Sequence, residues 1–110
     1  MILNATTDQR SACTHAADLV SHQAEGLRLT GSKTTVAALH EYAATLRKIA
    51  AGSVELSEKE KIDIEQASFV LEGIRDGLLT AEFRDRAKVV NEAIRALNNI
   101  GAAYNASEST

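Results

Sequence analysis

The sequence predicts an all-α fold, an antiparallel bundle of about four helices, on three observations. Small and aliphatic residues recur at steps of three and four in four separate stretches. No proline interrupts them, as suits long helices, because proline removes a helical hydrogen bond and clashes with the preceding turn. Capping and turn residues stand between the stretches. Each stripe lies on one face of its helix and must be buried, against the other helices or against a partner.

The first stripe is loose: Cys13, Ala16, Val20 and Leu27. Its helix is expected from near Thr7, capped by Thr7 or Asp8, to about Leu29. Asp8, Ser11, His15, Asp18, His22 and Glu25 form its polar face. Thr30-Gly31-Ser32 is a turn signal, and Ser32 or Thr34 can cap the second helix. That helix carries Val36, Leu39, Ala43, Leu46 and Ala50. It should end near Ala51, with Arg47 and Lys48 in its last turns and Gly52 beyond. Residues 52–56 read as a loop. Ser57 and Glu60 form a capping box, in which each side chain satisfies a free N–H at the start of the third helix.

The third stripe is Ile64, Ala67, Leu71, Ile74, Leu78 and Ala81, and its helix is expected over about 58–77. The fourth is Phe83, Ala87, Val90, Ile94 and Leu97. The phase slips between them, because continuing the third spacing would place Asp85 on the stripe. With Gly77 and the potential cap Thr80 nearby, the slip predicts a tight turn. One kinked helix through 58–104 is the alternative and would make three helices. The last helix is expected from about Ala81 to Asn99 or Tyr104, stopped or frayed by Gly101. A single helical domain over 1–104 and a disordered polar tail over 105–110 complete the reading.

Composition narrows the class. A chain of 110 residues is one domain with one core. Hydrophobic residues at 45% and charged residues at 25% are ordinary for a globular protein. With no Trp, two Phe and two Tyr, the core should be thin and built on alanine. A net charge of −3 disfavours nucleic acid, which calls for a basic footprint. Cys13 stands alone, so it forms no intrachain disulfide or cysteine-based zinc site and should act as a small apolar residue. Met1–Asn4 lacks the pattern of a secretion signal, and no apolar run reaches the roughly 20 residues of a membrane span. A cytoplasmic protein with no membrane partner is expected.

Several residues invite chemistry. His15, Asp18 and His22 share a face at metal-ligand spacing, but they extend a continuous polar stripe. Gly26 to Thr34 misses a phosphate-binding loop, because Ser32 separates Gly31 from Lys33 and no strand precedes it. Ser32, Lys33, Thr34 and Thr35 remain an alternative small-anion or nucleotide site at the start of the second helix. His22-Gln23-Ala24-Glu25-Gly26 is similar in part to histidine phosphotransfer domains, where a Lys follows the phosphorylated His by three residues and a Gly by four. His22 and Gly26 match, but Glu25 replaces the Lys and opposes an incoming phosphoryl group. Gly73 and Gly77 sit four apart, which suits either close helix packing or fraying.

The expected function is therefore non-enzymatic: an adaptor, regulator or inhibitor that docks on a larger protein. Phage and mobile-element inhibitors include small helical proteins of this kind. No catalytic, cofactor or metal residues are assigned. Arg84, Lys88 and Arg95 line one side of the last helix and, with Ile100 and Tyr104, are the expected contact residues. The apolar rows of Ile94, Leu97, Ile100 and Tyr104 exceed one stripe and point to a homodimer. A phosphoryl carrier using His22 is the first alternative function, and the Ser32–Thr35 anion site the second.

Overall fold

The computed structural model of the protein describes residues 1–109. Four helices pack as two hairpins: α1 (Thr7–Gly26) on α2 (Lys33–Ala50), and α3 (Glu58–Thr80) on α4 (Arg84–Glu108). Contacts of α2 with α3 and of α1 with α4 join the hairpins into an all-α bundle. Two three-residue strands, β1 (Ile2–Asn4) and β2 (Ser53–Glu55), pair antiparallel with Leu3 opposite Val54. The second strand corrects the expected loop over 52–56. Three residues are too few for alternation to register in a sequence. Leu3, Val54 and Leu56 carry their side chains into the core, and Leu56 N–H donates to Met1 C=O at 2.7 Å.

The boundaries follow local chemistry. Thr6, rather than Thr7 or Asp8, caps α1, and Gln9 closes a capping box with it. Helix α1 stops at Gly26, three residues before the expected end. Ser32 caps α2, and Ser57 with Glu60 makes the expected capping box on α3. Gly52 follows α2 at φ 133°, a backbone region in which a side chain is strained.

Helices α3 and α4 are separate. Helix α3 runs on to Thr80, so Thr80 is no cap; its hydroxyl donates to Asp76 C=O at 2.9 Å. Glu82 N–H then donates to Leu79 C=O at 3.0 Å, and Phe83 N–H to Leu78 C=O at 2.8 Å. This pair of bonds is a Schellman closure, with Glu82 left-handed at φ 65° where glycine is usual. Helix α4 starts at Arg84, three residues later than expected, and continues to Glu108. The expected tail is thus helical over 105–108, and Thr110 lies outside the described residues. Gly101 does not stop α4. It is buried, and one glycine is outweighed by flanking Ile100 and Tyr104, both packed in the core.

The core is built on alanine and aliphatic residues, as the composition requires. Ala16, Ala17 and Ala24 on α1 are fully buried, as are Leu46, Ile49, Leu71 and Ile100. Such small side chains let α1 approach its neighbours closely. Cys13 lies among them, and burial pushes its thiol up to about 11. Polar bonds fix how the helices are aligned. The buried Asp63 carboxylate accepts from Thr45 Oγ1 at 2.8 Å and from Lys59 Nζ at 3.1 Å, tying α3 to α2. Ser68 donates to Asn98 at 3.0 Å, tying α3 to α4. Among the described residues no buried side-chain polar atom lacks a partner.

Candidate functional site

Both phenylalanines of the chain lie outside this core. Phe69 is 63% exposed and Phe83 51%. Phe83 belongs to the stripe read from the sequence, but the Schellman closure places it in the turn ahead of α4. The Arg86 guanidinium stands 5.2 Å over its ring, within cation–π range. Phe69 lies on the outward side of α3, seven residues after the exposed Ile62. Gly73 and Gly77 share that side, and a Cβ added at either would meet nothing within 4 Å. The glycine pair is therefore no helix-packing contact within the chain, and α3 does not fray at it.

Phe69 lines one groove, and a second lies between α3 and α4 without either ring in its lining. The first, about 460 Å³, is lined by Leu27, Leu39, Val70 and Ile74 with Gln23, Thr35, Gly73 and Phe69 itself. No charged residue lines it. The second, about 380 Å³, lies where α3 meets α4 and is lined by Arg75, Leu79, Arg84, Ala87, Lys88 and Asn91. Arg75 is held there, donating to Asn91 Oδ1 at 2.9 Å and to Asp76 Oδ1 at 3.2 Å. Arg84 and Lys88 are exposed and form no ion pair among the described residues. Leu79 is 49% exposed. A third and larger groove, about 830 Å³, runs between α1 and α4. Asp8, His15, Glu92 and Arg95 line it among small and polar side chains.

The structure divides the expected contact residues. Arg84 and Lys88 share the α3–α4 groove, whereas Arg95 faces the α1–α4 groove. Ile100 and Tyr104 are buried, at 0% and 8% exposure, so they are core residues rather than surface contacts. The second apolar row of α4 is used inside the chain, where the bundle closes over it. Sequence periodicity reported that row but not what covers it. It also missed Arg75, Leu79 and Phe69; the one available signal for Phe69 was an apolar residue standing off the stripe.

The alternative sites stay on the surface. His22 is exposed, and Glu25 one turn on pairs with Arg28 at 3.8 Å. Ser32 and Thr35 are bonded to each other, hydroxyl to hydroxyl at 2.8 Å, while Ser32 Oγ accepts from Thr35 N–H at 3.0 Å. Lys33 and Thr34 are exposed beside them. Asp18 accepts from Arg47 at 3.1 Å, linking α1 to α2. Among the described residues no three His, Cys, Asp or Glu side chains gather as a metal site would require. No helix among them is long and apolar enough to cross a membrane.

No family model, curated protein or solved structure matches the chain. The fold defines its class, an all-α four-helix protein closed by a two-stranded clasp.

Proposed function

We propose that the protein is a non-enzymatic, cytoplasmic binding protein, an adaptor, regulator or inhibitor that docks a face built on α3 and the α3–α4 turn onto a larger protein. One observation carries this reading: both phenylalanines are exposed while alanine and aliphatic residues fill the core. Fully burying a phenylalanine contributes about 1.5–3 kcal/mol, so leaving both half-exposed or more forgoes part of a stability that a partner can restore. Exposed aromatic residues are common anchors of protein interfaces, and Phe69 also lines a groove. The test places a photo-crosslinking phenylalanine analogue at Phe69, at Phe83 and, as control, at the exposed Ala44 of α2. Capture of one stoichiometric protein partner from Phe69 and Phe83 but not from Ala44 is expected. Equal capture at all three positions, or none, contradicts the reading.

A second copy of the chain is also a fitting partner. The lining of the groove beside Phe69 is uncharged, so the Phe69 ring of a second copy can enter it without burying a charge of that lining. This replaces α4 as the proposed dimer surface. Sedimentation should show a dimer that Phe69→Asp dissociates. A wild-type monomer well above micromolar concentration removes this pairing. The geometry lends less to the phosphoryl-carrier and anion readings, because Glu25 opposes a phosphoryl group at His22 and the Ser32 and Thr35 hydroxyls are already engaged.

A further inference from the structure

We propose that the groove between α3 and α4 takes an acidic segment of the partner protein that carries an apolar side chain. This names the partner's chemistry and rests on the protein-docking reading above. The protein has a net charge of −3, yet the groove is lined by Arg75, Arg84 and Lys88 and by no carboxylate. Arg75 is already oriented by Asn91 and Asp76. Arg84 and Lys88, one helical turn apart, have no acidic partner among the described residues and are open to one. Such an arrangement selects an opposite charge and rejects a like one. Leu79 and Ala87 line the same groove, and the half-exposed Leu79 gives an apolar side chain a surface to cover.

The same residues argue for a protein segment over a nucleic acid. Asp76, Glu82 and Asp85 are exposed on the flanking stretches of chain. A backbone with a phosphate on every nucleotide would meet these carboxylates together with the three cations. A short acidic segment can place its few charges on Arg84 and Lys88, Arg75 being already paired with Asp76.

The test uses the full chain, isotope-labelled, and four probes. These are a fluorescent peptide of repeating Glu and Leu, the same peptide with Lys for Glu, the same with Ser for Leu, and a single-stranded DNA oligomer. The Glu/Leu peptide should move the amide signals of Leu79, Arg84, Ala87, Lys88 and Asn91. The Lys peptide should not bind, and the Ser peptide should bind more weakly. The double variant Arg84→Glu/Lys88→Glu should lose about tenfold in affinity, with helix content unchanged because both side chains are exposed. Tighter binding of the DNA oligomer at these residues, shifts elsewhere, or an unaffected double variant overturns the proposal. If the Glu/Leu peptide fails while the photo-crosslinker at Phe83 still captures a partner, the acidic class falls and the docking reading stands. If both fail, both are wrong.

Discussion

Single residues here show where local stability has been given up. Glu82 occupies a left-handed position that favours glycine, at the turn that presents Phe83. Glu82→Gly should raise stability by about 1 kcal/mol in urea titration, with the fold unchanged. A loss instead would mean that the Glu82 side chain holds the turn. Cys13 makes the opposite case. Its thiol is fully buried and pushed up to about 11 by that burial, so little thiolate exists near neutral pH. It should be silent to thiol reagents in the native state and react only at the rate of unfolding. Fast labelling of folded protein would show that α1 opens locally.

At the scale of elements, capping and charge account for most boundaries. The capping box on α3 is also an interhelical tie. The Lys48 side chain bonded to Glu60, with the Ser57 N–H and hydroxyl, holds the Glu60 carboxyl below its usual 4.5 against the opposing effect of burial. A depressed folded pKa stabilises above the unfolded value, and that stability is lost as pH falls through the folded pKa. Wild type should therefore exceed Glu60→Gln in stability above about pH 4.5, with the gap closing as acid is added. A gap independent of pH would mean that the charge on Glu60 is not what matters. Helix α4 shows where a sequence stops being legible. Its stripe through Ala87, Val90, Ile94 and Leu97 is buried as the spacing requires. Ile100 and Tyr104 are equally apolar, yet nothing in their spacing says whether a neighbouring helix or a partner covers them. Gly101 reads as a stop only while the core around it is unknown.

For the whole molecule, the bundle could be read from four stripes and their caps. The pairing into hairpins, the strand clasp and the exposed face could not. Leu3, Val54 and Leu56 meet across a separation of about fifty residues, which periodicity cannot see. The grooves belong to pairs of helices, so Arg75 and Leu79 gain meaning only when α3 meets α4. Leu71 and Ile94 anchor the α3 and α4 stripes from inside the core. Leu71→Ala and Ile94→Ala should each cost about 2–5 kcal/mol, measured by thermal or urea unfolding. A loss under about 1 kcal/mol at either would mean that the bundle repacks around the cavity.

The proposed docking role of the exposed phenylalanines separates binding from folding. The double variant Phe69→Ala/Phe83→Ala, read for both partner capture and stability, distinguishes the two. Capture of the protein partner should be lost while the unfolding midpoint hardly moves, because neither ring is in the core. A large fall in stability, or capture that persists unchanged, would contradict the docking role.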